Sequence, residues 1–183
     1  MMAYTLDIAA AVQGHLTHRV APDIGSLRQF KGVRRLQALA EAAGIKIVWG
    51  GRQPAFEPKS DTVFCPTLVF YIFRHPLRPR RRQKIDLAHE MLHASGAKHR
   101  QNRPLITVRG DAYAREELLS ETGSALLLVH LELSKRVTIC NAKYLKSWLS
   151  ALPNAGVELD VGIARAAQAT AFLLGYARAR GVS

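Results

Sequence analysis

Residues 87–93 read Leu-Ala-His-Glu-Met-Leu-His and contain the pattern His-Glu-x-x-His at residues 89–93. In a helix, positions i and i+4 lie on one face about one turn apart, so His89 and His93 can direct an imidazole nitrogen at one tetrahedral metal ion. Glu90 follows the first histidine, where its carboxylate can take a proton from a metal-bound water, as in zinc peptidases. The pattern therefore predicts a helical zinc site with Glu90 as the catalytic base.

The residues around this pattern favour a buried helix. A helix over residues 81–95, capped by Gly96, surrounds the two histidines with an apolar frame formed by Ile85, Leu87, Ala88, Met91, Leu92 and Ala94. An exposed helix with an incidental histidine pair is the alternative, but it would carry more charge over this stretch. We expect only the histidines and Glu90 to face a cleft.

A second helix, predicted over residues 113–129, supplies candidates for a further ligand. A catalytic zinc ion has three protein ligands and a water. Polar residues of this segment recur at i, i+3, i+4 and i+7 and form one stripe on an otherwise apolar helix: Glu117, Ser120, Glu121 and Ser124. Because an unpaired buried charge is costly, two carboxylates in so apolar a segment require a partner. A metal ion and a ligand histidine would satisfy both.

We assign Glu117 as the third ligand and Glu121 as the carboxylate that orients a ligand imidazole, that of His89. The reverse assignment stays open, as does a salt-bridged exposed stripe. Arg115 and Glu116 are expected on an exposed face.

The segment over residues 85–128 resembles the zincin-like metallopeptidase domain of ArdC-type antirestriction proteins from conjugative plasmids and phages. The matching pieces are Leu-Ala-His-Glu-x-x-His, a basic linker with Arg100 and Arg103, and Tyr113-Ala-x-Glu-Glu-Leu-x-x-Glu. Residues 42–66 resemble the hairpin before the family's active-site helix, and residues 144–149 resemble its C-terminal helices. The resemblance thus extends over about residues 40–178.

This resemblance implies a zinc-dependent fold, and in some relatives the domain is paired with an N-terminal domain that binds single-stranded DNA. That domain is expected to be absent or strongly shortened here. The relatives usually carry Trp and then Thr-Gly-His after the second histidine, where this chain has Ala94, Ser95, Gly96 and Ala97. We expect the metal centre to be retained and the cleft wall to differ.

Composition is consistent with one domain over residues 1–183. The chain has 183 residues and 48% hydrophobic content, enough for a sizeable core. We divide it into an N-terminal helical extension, about residues 1–43, and a catalytic core, about residues 44–178. The absence of an apolar run of transmembrane length or a secretory signal predicts a cytoplasmic protein without a membrane partner. Cys65 and Cys140 lack metal-binding spacing and predict no disulfide framework.

The order of elements favours an α+β, zincin-like fold of the gluzincin type, with a small sheet, the His-Glu-x-x-His helix and a helical C-terminal half. Residues 23–43 are expected to form a helix that stops at Gly44, and strands at 45–49 and 62–64 are expected to form a hairpin across a turn-rich stretch. Residues 68–73 fit either a strand or a helix. Residues 97–110 form a linker, and helices are predicted at 143–152 and 162–178.

Positive charge is concentrated around the motif. The net charge is +12, and residues 74–109 hold ten Lys and Arg against two acidic residues, a net charge of +8. Arginines before a helix N-terminus are electrostatically unfavourable, so an anionic partner would explain them. We therefore predict nucleic-acid binding, with single-stranded DNA as a candidate, by Arg74, Arg78, Arg80, Arg81, Arg82, Lys84, Lys98, Arg100 and Arg103. Phe70, Tyr71 and Phe73 are candidate stacking surfaces. A merely solvated basic loop is the alternative.

Two lesser candidates are Tyr113, which could donate to a developing oxyanion but fits a structural tyrosine better, and His99, which fits an exposed linker histidine better than a substrate ligand. The hypothesis from sequence is a zinc metallopeptidase of the ArdC type with one Zn²⁺ per chain, acting on a protein or peptide substrate in a mobile-element setting. The alternative is a non-catalytic or vestigial peptidase that serves as a nucleic-acid-binding antirestriction module.

Overall fold

The structure is a computed structural model, and it describes residues 24–104, 110–135, 149–150 and 152–179. After a short 3-10 helix at Gly25–Gln29, the helices are α1 (Val33–Ala42), α2 (Leu68–Arg74), α3 (Pro79–Ser95), α4 (Asp111–His130) and α5 (Ala155–Ala179). The strands are β1 (Lys46–Trp49), β2 (Ala55–Glu57) and β3 (Thr62–Cys65). This composition confirms the expected α+β class. None of the described helices is long and apolar enough to cross a membrane.

The helix expected over residues 23–43 is divided in two. Gly32 has a φ of 60°, in the left-handed region that favours glycine, and separates the 3-10 helix from α1. Arg35 bridges the break from inside, because its buried guanidinium donates to the carbonyls of Phe30, Arg28 and Leu131. The stop at Gly44, whose φ is 66°, is confirmed.

The expected hairpin between residues 45–49 and 62–64 is wrong, because β1 and β3 pair in parallel. The turn-rich stretch between them contains β2, which pairs antiparallel with β3, so the strand order is β1-β3-β2. Gly50 and Gly51, with φ values of 137° and 81°, redirect the chain after β1. The short Ala-Phe-Glu strand lies in a stretch with two Gly and two Pro residues, whose turn signals predict no strand.

Residues 68–73, whose sequence fits either a strand or a helix, belong to the helix α2. The motif helix, predicted over residues 81–95, begins two residues earlier at Pro79, whose fixed φ suits the first turn. The helix predicted over residues 162–178 begins at Ala155 and contains Gly156 and Gly162 inside it. The helix predicted over residues 143–152 lies mostly outside the described residues.

Helices α3, α4 and α5 pack together, and α3 also contacts β2, β3 and α1. Two glycines permit close contact between the helices. A Cβ added at Gly123 of α4 would lie 2.7 Å from Leu92 Cδ1 of α3, and one added at Gly162 of α5 would lie 2.5 Å from Leu118 Cδ2 of α4. This close packing brings the polar side of α4 against the histidines of α3.

Candidate metal centre

Three side chains from α3 and α4 converge in the cleft: His89, His93 and Glu117. One ligand atom from each lies within 4.8 Å of the others. The two Nε2 atoms are 3.0 Å apart, and Glu117 carboxylate oxygens lie 3.7 Å from His89 Nε2 and 3.5 Å from His93 Nε2. Ligand atoms around a tetrahedral zinc ion are about 3.3 Å apart, because the bonds are about 2.0–2.1 Å long. The cluster therefore fits a single metal ion.

The other ring nitrogen of each histidine faces a glutamate of α4. His89 Nδ1 lies 3.7 Å from Glu121 Oε1, the pairing proposed from the sequence. His93 Nδ1 lies 3.3 Å from Glu116 Oε1 and 3.0 Å from Ser120 Oγ. An N–H at Nδ1 leaves Nε2 free to bind a metal ion, so these carboxylates suit the orientation of both ligands.

The placement of Glu116 corrects the sequence interpretation, which put it on an exposed face. Glu116 is 8% exposed, and Arg103 Nη2 donates to its Oε1 at 3.0 Å. The polar side of α4 is wider than the stripe at residues 117, 120, 121 and 124. Residues 116 and 120 form a second polar row beside that stripe. The spacing of Glu116 and Ser120, i and i+4, was the available signal.

Arg100 and Arg103, predicted to bind nucleic acid, are instead directed into the protein. The Arg100 side chain is 2% exposed and donates to both Asp61 oxygens at 2.8 and 2.7 Å and to the Ala94 carbonyl. Arg103 donates to the Leu92 carbonyl at 2.7 Å as well as to Glu116. The last carbonyls of a helix lack intrahelical donors, and these arginines satisfy two of them at the end of α3.

The electrostatics of the cluster favour a cation at its centre. The pKa of His89 is lowered to about 3, first by burial and then by His93. Burial also acts to lower the pKa of His93, but its hydrogen bonds with Glu116 and Glu117 outweigh burial and raise the pKa to about 10. The pKa values of both glutamates are lowered despite burial, mainly because they accept these hydrogen bonds. A divalent cation supplies the positive charge that such a set of acceptors stabilises.

Glu90 lies beside the cluster and under the sheet. It is 8% exposed, and burial raises its pKa to about 7, although His93 and a hydrogen bond from the Phe56 backbone N–H oppose the rise. A carboxylate with a pKa near neutrality is suited to both accepting and returning a proton. Tyr113 is half-buried and hydrogen-bonds to Glu117, which places its phenol at the cleft.

The remaining predicted basic residues are divided between surface and internal contacts. Arg82 Nε lies 2.8 Å from Asp86 Oδ1, and Lys84 Nζ donates to the Leu133 carbonyl. The exposed members are Arg74, Arg78, Arg80 and Lys98, and Arg81 is half-buried. Of the three candidate stacking residues, Tyr71 is only 1% exposed, so its assignment as a stacking surface is wrong. It donates instead to Asp86 Oδ2 at 2.9 Å.

A helix with His-Glu-x-x-His packed under a small mixed sheet, with a glutamate from the next helix facing both histidines, defines a zincin-like metallopeptidase domain. Residues 34–169 match the family of zincin-like metallopeptidases, and the chain belongs to that family. The resemblance noted from the motifs is thereby confirmed.

The similar proteins are longer than this chain. It is 35% identical over 150 residues to the uncharacterized protein y4eC of Sinorhizobium fredii (strain NBRC 101917 / NGR234), covering 81% of this chain and 46% of that protein. Crystal structures of the antirestriction protein ArdC from plasmid R388, one Mn(II)-bound and one metal-free, each match with 26% identity and a TM-score of 0.61. Each match covers 79% of this chain and 52% or 50% of ArdC. The chain thus spans about half the length of these relatives.

Proposed function

We propose that this domain is a zinc-dependent peptidase of the antirestriction type, with one metal ion held by His89, His93 and Glu117. The observation that carries the proposal is the convergence of two imidazole Nε2 atoms and one carboxylate, with the separate carboxylate of Glu90 beside them. Two nitrogens and one oxygen suit zinc and other first-row divalent ions, so this donor set fits the proposed metal. Similarity to the ArdC protein supports the mobile-element setting.

A bound divalent ion would polarise the scissile carbonyl and lower the pKa of an attacking water to about 7. Glu90 takes the proton of that water and returns it to the leaving amine. Its buried position, with a pKa raised to about 7, suits both steps. Glu121 and Glu116 hold the imidazoles of His89 and His93 in orientation, and Tyr113 donates to the oxygen on which negative charge develops.

The sheet provides a place for an extended peptide substrate. β2 is an edge strand, and the N–H of Phe56 in its centre reaches Glu90. A peptide that pairs with this edge would therefore pass beside the catalytic carboxylate. This arrangement supports peptide bonds as the target of the chemistry.

The test combines metal analysis with a search for cleavage products. The wild type should hold about one zinc ion per chain, and His89→Ala and Glu117→Ala should each lose it. His99→Ala and Glu57→Ala, at exposed positions, are the matched controls and should retain it. Full occupancy in the first two variants would refute the ligand assignment.

Catalysis is tested with Glu90→Gln, which should keep the metal and lose cleavage. New peptide termini are compared across the proteome of cells that express the wild type or this variant. Termini that depend on Glu90 support the peptidase. A metal-loaded wild type that yields none would favour the non-catalytic antirestriction module.

A further inference from the structure

Helix α2 and the turn that follows it expose a cluster of large apolar side chains. The exposed fractions are 60% for Val69, 48% for Ile72, 84% for Phe73 and 94% for Leu77. The first three recur at i, i+3 and i+4 and share one face of α2, and Leu77 follows in the turn. Isolated exposed apolar residues are ordinary, but a cluster of this kind is typical of an interaction surface.

Beside the cluster lies a depression of about 530 Å³ between the turn and α3. Its apolar wall is formed by Pro76, Leu77 and Ile85, and guanidinium groups, including those of Arg74 and Arg78, surround it. We call α2, the turn over residues 75–78 and the first turn of α3 the basic apex.

Of the arginines in the basic apex, only Arg82 is paired with a carboxylate within the described residues, that of Asp86. Residues 62–85 contain five arginines and one lysine but neither Asp nor Glu. Among the described residues, no carboxylate forms an ion pair with Arg74, Arg78, Arg80 or Arg81. Positive charge at the N-terminus of α3 opposes the helix dipole, so folding does not account for it. A surface of this composition is complementary to a partner that is anionic and also carries apolar groups.

We propose that the basic apex binds an acidic segment of another protein, whose apolar side chain enters the depression while its carboxylates pair with the surrounding arginines. Arginine forms two parallel hydrogen bonds with a carboxylate, which gives such a segment both affinity and orientation. The proposal does not depend on the peptidase activity. Pro79 and His89 are ten residues apart in α3, about 15 Å along its axis, so the basic apex is separate from the metal centre.

Two other anionic partners fit the basic apex less well. Nucleic acid would use aromatic faces for base stacking, but Tyr71 is buried, and three of the four exposed large apolar side chains, those of Val69, Ile72 and Leu77, are aliphatic. A bilayer would accept exposed aliphatic groups, but a flat lipid surface cannot fill a concave depression with an apolar wall. A peptide can place one side chain in the depression and carboxylates at its rim.

The experiment measures binding of a fluorescein-labelled peptide that is rich in Asp and Glu around a central Leu-Leu pair. Fluorescence anisotropy is recorded with the wild type, Arg74→Glu, Arg78→Glu and Leu77→Ser. We expect the wild type to bind and each arginine variant to lose at least about tenfold in affinity. Leu77→Ser should lose about five- to tenfold, as should the wild type with a peptide in which Ser replaces Leu.

The matched controls are Arg52→Glu, an exposed charge reversal after β1, and Val157→Ser, an exposed apolar residue of α5. Both should bind the peptide like the wild type. Circular dichroism and metal content confirm that every variant is folded. Glu90→Gln should also bind normally, so failure of the peptidase proposal would leave this one standing.

Oligo(dT) and vesicles of phosphatidylcholine with phosphatidylglycerol are tested at the same ionic strength. We expect that neither will show binding that is weakened by all three substitutions, at Arg74, Arg78 and Leu77. If one of them does and the peptide does not, the partner is nucleic acid or lipid and the proposal is overturned. It is equally overturned if the wild type does not bind the peptide, or if the variants bind it as tightly as the controls do.

Discussion

At the scale of single residues, the side chains behind the two histidines define the candidate centre as much as the proposed ligands do. Glu116 faces His93 Nδ1 and is held by Arg103, which also donates to the Leu92 carbonyl in the same helix as His93. Arg103 therefore connects the end of α3 to the carboxylate that faces His93. We therefore expect this linker residue to help position the proposed metal site.

Glu116→Ala should therefore weaken metal binding without unfolding the protein. Loss of the group that orients a ligand histidine typically reduces metal affinity by about 10- to 100-fold. Affinity is measured by competition with a chromophoric chelator, and Glu57→Ala, at an exposed site of β2, is the control. An affinity of Glu116→Ala equal to that of Glu57→Ala would show that Glu116 does not position His93.

Asp86 is a buried carboxyl that is not one of the proposed metal ligands, and its effect on stability can be tested. It is 7% exposed, and burial raises its pKa, against the opposing effects of Arg82 and the Tyr71 hydrogen bond. His75 also acts on it, and Cys65 lies near Tyr71. Because the native carboxyl holds its proton to a higher pH than the unfolded one, ionisation of Asp86 costs native stability as pH rises above about 4.

Asp86→Asn removes this dependence, because the amide cannot ionise. The free energy of unfolding of the variant, relative to the wild type, should rise between about pH 3 and pH 7. Urea unfolding at a series of pH values measures this difference, and Asp160→Asn, at an exposed site of α5, controls for the loss of a carboxylate. A difference that stays constant or falls with pH would contradict the raised pKa.

The residues that could be predicted are those whose spacing along one helix encodes their geometry. His89, Glu90 and His93 share a single helix, and Glu117 and Glu121 stand out as charges in an apolar segment. The contacts of Arg103 could not be predicted in the same way, and those of Glu116 were indicated only by its i, i+4 spacing with Ser120. Their roles depend on how the linker after α3 folds back, and a basic linker with an adjacent glutamate looks the same in sequence as a solvated one.

At the scale of elements, the helices were more predictable than the sheet. Helices α3 and α4 contain 17 and 20 residues, whereas β2 has only three. β2 pairs with β3 across a turn. The local sequence does not indicate whether β3 pairs with β2, with β1 or with both. The late start predicted for α5 has a related cause, since Gly156 and Gly162 disfavour a helix locally and tertiary packing overrides that preference.

The packing of α5 on α4 predicts opposite effects for two glycines of the same helix. A Cβ at Gly162 would lie 2.5 Å from Leu118 Cδ2 and 2.8 Å from its Cγ, whereas one at Gly175 would meet nothing within 4 Å. Gly162→Ala should therefore lower the free energy of unfolding by about 1–3 kcal/mol. Gly175→Ala should raise it by about 0.5–1 kcal/mol, because alanine is the better helix former.

Urea unfolding of both variants against the wild type measures these changes. Since the substitution is the same in both, helix propensity contributes equally, and the difference between them reports on the helix contact. Equal stability of Gly162→Ala and Gly175→Ala would show that α5 does not approach α4 as closely as the structure indicates.

At the scale of the whole molecule, charge and chemistry are separated along α3. Its N-terminal end belongs to the basic apex, and its later turns carry Glu90 and the two histidines. Two C-terminal carbonyls of the same helix accept hydrogen bonds from Arg100 and Arg103, so these two linker arginines do not extend the basic surface. One helix thus connects a surface suited to an acidic partner with the proposed catalytic cleft.

The metal centre should also contribute to global stability, because its ligands come from two helices. A ligand that binds only the native state adds about 2.7 kcal/mol when its concentration is 100 times its dissociation constant. For a chain of this size, such a contribution corresponds to a Tm about 5–10 °C higher. Scanning calorimetry of the zinc-loaded protein, before and after addition of a chelator, should show this difference in the wild type.

Two variants identify the source of the effect. Glu90→Gln should show the same dependence on chelator, since Glu90 is not a ligand, whereas His89→Ala should have a Tm that does not respond to chelator. If His89→Ala keeps the full response, the stabilising ion binds elsewhere. If the zinc-loaded wild type shows none, the cluster between α3 and α4 does not hold a metal ion tightly enough to couple the two helices.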